Sequence, residues 1–262
     1  MLGCAISLGL AGEVPRATIR AVAVAAEAAG LYALWLNDTP HGDSLAGLAA
    51  AAEVTSTLRL ATGVIPFDRR SATEIRDRVV ALGLPRDRLT LGVGSGAARH
   101  PLALVADGID ALAPLGVPVL LGALGPRMRH LGAQRADGLL LSWLTPVAAA
   151  AARDAALADA AGAGRPRPRV VLYARTITEE AARPALEVEA TRYAGYPSYA
   201  ANLARVGHSA LDATINGSEP GALTAGIRGY AGVIDELVLR AITPDGSDAA
   251  ILRFIDAAAS AS

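Results

Sequence analysis

A chain of 262 residues that is 52% hydrophobic and 19% charged can bury a sizeable core, which excludes a disordered polypeptide. Its 24 basic residues, all of them arginine, balance 25 acidic ones, and aromatics make up only 4%. Neither the basic stripe nor the stacking platforms of a nucleic-acid binder are present, and no apolar run reaches the roughly 18 residues a membrane span needs.

In chain order, apolar β-branched runs alternate with alanine-rich helical ones. The opening MLGCAISLGL has no basic leader and alternates like a strand, so no signal peptide is expected. Cys4 is alone, which rules out an internal disulfide and fits a reducing cytoplasm. Predicted strands are Gly3 to Leu8, Ala33 to Leu36, Leu58 to Val64, Leu89 to Val93, Val117 to Ala123, Gly138 to Trp143, Arg169 to Ile177 and Glu236 to Ile242. Helical segments lie between them, such as RATIRAVAVAAEAAG with Gly30 as its stop signal. The longest connection, Thr178 to Ile234, is expected to hold three helices with breaks near Gly207 to Ser209 and Gly217 to Gly221. No linker divides the chain, so residues 1–262 are read as one domain. Eight strands, each followed by a helix, predict an α/β fold of the (β/α)8 (TIM) barrel type, with an open doubly wound sheet as the alternative.

In such a barrel the active site lies at the carboxyl ends of the strands. Those ends read WLNDTPHGD, ATGVIPFD, GVGSGAARH, GALGPRM, SWLTP and AITPD, rich in Gly, Ser, Thr and Pro and poor in ionisable groups. Paired carboxylates for hydrolysis are missing, and the four histidines show no ligand spacing, so no metal site is expected. A rim of this kind suits a large flat ligand lying close to the backbone. The run LGALGPRMRH ends a strand in small residues and starts a helix with Gly125, Pro126 and Arg127. Either it is a tight turn, or an anion rests on the helix N–H groups.

The strand ends, in order, resemble the bacterial luciferase-like monooxygenase family, which includes deazaflavin (F420)-dependent oxidoreductases. GLYALWLND resembles the family's second strand, AAAAEVTSTLRLATGVIP its helix and third strand, RLTLGVGSG its fourth, and LGALGPRMRHLGAQRADGLLLSWLTP its fifth and sixth. YPSYAANLARVG is similar to a late helical segment of the family. The resemblance implies that Gly94, Ser95 and Gly96, together with Gly122, Ala123, Leu124, Gly125 and Pro126, hold the phosphate end of F420 or FMN, with Arg127 an added contact. It also implies a cis Gly63–Val64 peptide beneath the cofactor ring.

Three departures from the family stand out. Asp38 is followed by Thr39 where F420-dependent relatives usually have His, and Ala97 replaces a frequent Glu. Both positions commonly supply proton donors, so His41 and His100, a few residues away, become the candidate acid–base groups. The link from strand four to strand five, Ala97 to Gly116, is barely one helix, whereas many relatives carry a long insertion there. Asp38 is read either as a hydrogen-bond partner of the cofactor ring or as a cap of the next helix. Trp143 is read either as a cleft wall or as core packing. The leading expectation is an F420-dependent oxidoreductase acting on a small organic substrate, F420 being frequent in the GC-rich lineages that an arginine- and alanine-rich composition suggests. The alternatives are an FMN-dependent monooxygenase and a cofactor-binding subunit without activity of its own. A homodimer is expected from the apolar helix surfaces and from the family's habit.

Overall fold

Each predicted strand forms, and together they close on themselves. The computed structural model describes residues 3–261; Met1 and Leu2 of the opening segment lie outside it. The strands are β1 (Ala5–Leu10), β2 (Ala33–Leu36), β3 (Arg59–Pro66), β4 (Leu89–Gly94), β5 (Val119–Gly122), β6 (Gly138–Ser142), β7 (Arg169–Ile177), β8 (Ile215–Asn216) and β9 (Glu236–Ala241). All pairings are parallel. They run in order from β1 to β7, then β7 to β9, and β9 pairs back on β1 with Glu236 opposite Ala5. The result is a closed eight-stranded TIM barrel in one domain, and the open-sheet alternative falls. β8 is an addition not expected from sequence: two residues that pair with Thr176 and Ile177 beyond the point where β6 stops.

The helices are α1 (Arg16–Ala28), α2 (Ser44–Ala52), α3 (Ala72–Ala81), α4 (Pro101–Leu112), α5 (Pro126–Arg135), α6 (Pro146–Gly162), α7 (Arg183–Ala194), α8 (Pro197–Val206), α9 (Ala222–Arg228) and α10 (Asp248–Ala261). Their starts follow local chemistry. Ser71 and Glu74 form a reciprocal capping box at α3, while Pro occupies the first turn of α4 through α8, where a missing N–H costs nothing. The long connection holds α7, α8 and α9, with Gly207 left-handed (φ 75°) ending α8 as anticipated. Between β4 and β5 there is only α4 and one 3-10 turn, Ala113–Leu115.

Alternation along the strands sorts side chains to two sides of the barrel wall. One set, including Leu34, Leu36, Leu60, Leu91 and Leu239, joins the large core shared with the helices. The other, Ala33, Trp35, Ala61, Leu120, Leu140, Val171, Tyr173 and Val238, forms a separate cluster inside the barrel. Glu236 plugs the amino-terminal end, fully buried and bonded by Ser7, by Trp35 Nε1 at 2.6 Å and by Arg169 Nη2 at 2.6 Å. Burial pushes its carboxyl pKa up, against the pull of Arg169. With that end closed, the opening of the barrel lies at the carboxyl ends of the strands.

Candidate active site

A cleft of about 830 Å³ occupies those carboxyl ends. Val64 is its pivot. The Gly63–Val64 peptide is cis, and the valine methyls lie where a Cβ on Gly94 or Gly122 would fall, at 3.0 and 2.8 Å. Glycine at those two positions therefore answers to Val64, a neighbour the sequence reading did not consider. Gly96 answers to another. It is left-handed (φ 58°), a Cβ there would sit 1.9 Å from Asp68 Oδ1, and Asp68 Oδ2 accepts the Ala97 N–H at 2.7 Å. The β4 loop is thus latched by a carboxylate of the chain itself. Gly125 differs: its φ of −87° suits any residue, and a Cβ would meet nothing nearer than Arg205 Nη2 at 3.9 Å. Space at Gly125 is open.

Beside that open turn sit two arginines. Arg205 Nη1 and Arg129 Nη2 both donate to Asn202 Oδ1, at 2.7 and 3.3 Å. Asn202 is 1% exposed, and its Nδ2, like Arg129 Nε, has no partner among the described residues. No carboxylate pairs with either guanidinium among those residues, and burial, with the charge of Arg205, pulls the Arg129 pKa down. Arg129 is half-buried and Arg205 exposed, and neither is among the residues that line the cleft, which near the start of α5 are Gly125 and Met128. Pro126 and Arg127 do not reach the main cleft; they line an outer groove with His130 and Asp159, which pair at 2.9 Å. Ser95, Ala123 and Leu124 do line the cleft, as do Gly94, Gly96, Gly125, Gly63 and Val64.

The opposite wall comes from β7 and the α7–α8 region. Tyr173 points inward beneath Gly63, its ring taking space that a Cβ on Gly9 or Gly63 would fill, and its hydroxyl is buried without a partner among the described residues. Arg175, two residues on, is 4% exposed; its Nε bonds Glu189 Oε1 at 3.0 Å and its Nη1 bonds Ser142 Oγ at 2.5 Å. Its guanidinium lies 4.2 Å from the Trp143 ring and 4.6 Å from that of Tyr193. Tyr193 meets Tyr196 and Tyr199 edge to face, at 5.7 and 4.9 Å between centroids. The sequence reading missed Tyr173, Arg175, Tyr193, Tyr196 and Tyr199 as site residues. The signal was there: period two along VVLYARTI places Val171, Tyr173 and Arg175 on one face, and polar groups inside so apolar a strand need a reason.

Other expected site residues fall elsewhere. His41 and His100 are exposed, and neither lines the cleft. Both stand past their strand ends, His41 in the turn before α2 and His100 as the residue ahead of α4. Asp38 borders the cleft, but its carboxylate is engaged by the Ser44 amide and hydroxyl at 3.3 and 3.0 Å. Arg69 and Arg70 face it as well, at 3.3 and 3.7 Å. The cap of α2 is Asp43, which accepts the Ala46 N–H at 3.1 Å. Trp143 is 1% exposed and backs Arg175 rather than facing the cleft. Among the described residues no cluster of three or more metal-ligating side chains occurs, and no helix is long and apolar enough to cross a membrane.

Fold and cleft define the class: a TIM barrel with a cleft at the carboxyl ends of its strands, between the Gly-rich ends of β4 and β5 and an aromatic–guanidinium wall. The luciferase-like monooxygenase family model matches residues 4–115 and 105–257, and the chain belongs to that family of oxidoreductases. No curated protein sequence gives a significant match. Among solved structures, an F420-dependent secondary alcohol dehydrogenase with an F420–acetone adduct superposes with a TM-score of 0.78 at 14% identity, over 97% of this chain and 98% of that one. The F420-dependent tetrahydromethanopterin reductase of Methanopyrus kandleri gives 0.71 at 16%, covering 96% and 97%. The FMN-bound oxygenating component of 3,6-diketocamphane monooxygenase from Pseudomonas putida gives 0.69 at 13%, covering 97% of both.

Proposed function

We propose that the protein is an F420-dependent oxidoreductase that moves a hydride between the deazaflavin and a small organic substrate. The observation that carries the reading is the pair of arginines, Arg129 and Arg205, that pair with no carboxylate among the described residues and stand beside the open Gly125 turn. They suit a phosphate-bearing ligand, and the cleft of about 830 Å³ suits one of cofactor size. The dehydrogenase that superposes at 0.78 holds an F420 adduct and the diketocamphane enzyme at 0.69 holds FMN, so fold likeness supports a cofactor of this kind, and F420 is the assignment the titration below tests.

The residues present fit such a group. Arg129, Arg205 and the first N–H groups of α5 would hold its phosphate, Val64 would support one face of its ring, and Tyr193, Tyr196 and Tyr199 would exclude water. When bound, the deazaflavin supplies two-electron hydride chemistry. The side-chain donors that line the cleft are phenols, serine hydroxyls, the Asn37 amide and the Arg175 guanidinium, with no imidazole among them.

The test is a fluorescence titration of the purified protein with F420 and with FMN. F420 binding in the micromolar range, quenched at high salt, is expected. A protein that takes FMN tightly and ignores F420 overturns the cofactor assignment, and one that binds neither overturns the reading.

A further inference from the structure

Arg175, which lines the cleft from β7, and Arg240, its register partner on β9, together carry more buried positive charge than the carboxylates beside them balance. Arg175 and Arg240 are both withdrawn from solvent, with side chains 4% and 14% exposed. Glu189 faces both, 3.0 Å from Arg175 Nε and 3.9 Å from Arg240 Nη2. Arg192, also 3.9 Å from Glu189, brings a third cation from the surface. Among the described residues no second carboxylate pairs with either buried guanidinium. Buried charge without a counter-charge is expensive, so a site built this way is completed by an anion from outside.

Two further features say what kind of anion. Tyr173 lines the cleft, and its hydroxyl is buried without a partner among the described residues, a neutral hydrogen-bond donor held in reserve. Tyr193, Tyr196 and Tyr199 stand beside Arg175, so a flat apolar body has a surface to lie on. We propose that this wall is a subsite for a planar organic anion, an aromatic carboxylate or a conjugated enolate, with Arg175 supplying charge and Tyr173 a hydrogen bond. The inference rests on the oxidoreductase reading for the site's purpose and narrows its substrate class. The anion has two possible sources: the substrate, or the negatively charged ring of the reduced cofactor.

The experiment uses the ligand-free protein labelled with nitrogen-15, and benzoate as probe. The two indole N–H groups report separately, because that of Trp35 is bonded to Glu236 while that of Trp143, stacked on Arg175, has no partner among the described residues. Benzoate is expected to shift the Trp143 signal saturably and to move that of Trp35, whose ring meets Tyr173 edge to face at 5.9 Å between centroids, much less. Benzamide, its neutral analogue, should bind about tenfold more weakly, and Tyr173→Phe should weaken benzoate about five- to tenfold without lowering Tm. Equal affinities for benzoate and benzamide, an unmoved Trp143 signal, or a Tyr173→Phe protein of unchanged affinity overturns the proposal. Repeating the titration with saturating F420 separates the sources: benzoate that still binds marks a substrate subsite, and benzoate that is displaced marks the ring's own. A protein that binds benzoate but neither F420 nor FMN keeps the subsite and loses the cofactor reading. Cofactor binding without benzoate binding does the reverse.

Discussion

Gly125→Val is the substitution that best isolates the anion site from the fold. Gly125 precedes α5 with φ −87° and ψ 162°, a conformation open to valine, and a new Cβ meets only Arg205 Nη2 at 3.9 Å. Glycine outranks valine at a helix N-cap by about 0.5–1.5 kcal/mol, so Tm of the ligand-free protein should fall by no more than about 5 °C. A ligand phosphate feels the change differently. Valine methyls would stand between it and the α5 N–H groups and hold it off Arg205. Loss of charge-assisted hydrogen bonds costs about 1.5–3 kcal/mol, a weakening of roughly 10- to 150-fold. Fluorescence titration with F420 at low and high salt, alongside a thermal melt, reads both quantities. The salt dependence should also flatten, since the lost contacts are ionic. Gly96→Ala is the contrast: φ 58° and the Asp68 carboxylate 1.9 Å from the new Cβ make it destabilising by about 1–2 kcal/mol or more. A Gly125→Val protein with unchanged Tm and unchanged F420 affinity would refute the placement of the phosphate.

Three further outcomes follow from other parts of the molecule. Asp38→Ala should lower stability by about 1–3 kcal/mol, several degrees in Tm, because Ser44, Arg69 and Arg70 lose their acceptor; a ligand-free melt like that of the unmodified protein with weakened F420 binding would instead put this carboxylate on the cofactor. The Glu27 carboxyl accepts backbone N–H bonds from Thr57, Leu58 and Ser56, which pull its pKa from 4.5 down to about 2. A depressed folded pKa gives stability that is present above about 4.5 and lost as pH falls toward about 2, so Glu27→Gln should flatten the dependence of Tm on pH across that window. Finally, we propose a homodimer, from helix surfaces that leave Val24, Val80 and Val147 exposed; light scattering at 26.6 kDa across micromolar concentrations would refute it.

The sequence by itself determined the barrel. Strands buried on both faces must read as short apolar β-branched runs, and Ala-rich helices with Gly and Pro at their ends must fill the gaps. The element list followed to within a few residues, β1 shifting from Gly3–Leu8 to Ala5–Leu10. The family resemblance carried the cleft's glycines and the Gly63–Val64 bond. Tertiary structure decided what each residue is for. Gly94 and Gly122 yield to Val64, and Gly96 to Asp68, because side chains from β3 and the loop after it cross over to them, a contact no spacing along the chain reveals. The histidines stand past the strand ends, where a turn of one or two residues decides between cleft and solvent, so nearness in sequence to Asp38 or Gly96 said little about where their rings would point. The aromatic–guanidinium wall needed three distant segments: β6 for Ser142 and the residue after it, Trp143; β7 for Tyr173 and Arg175; and the α7–α8 corner for Tyr193, Tyr196 and Tyr199. Period two along a strand fixes which side a residue faces, but only closure of the barrel fixes what it faces.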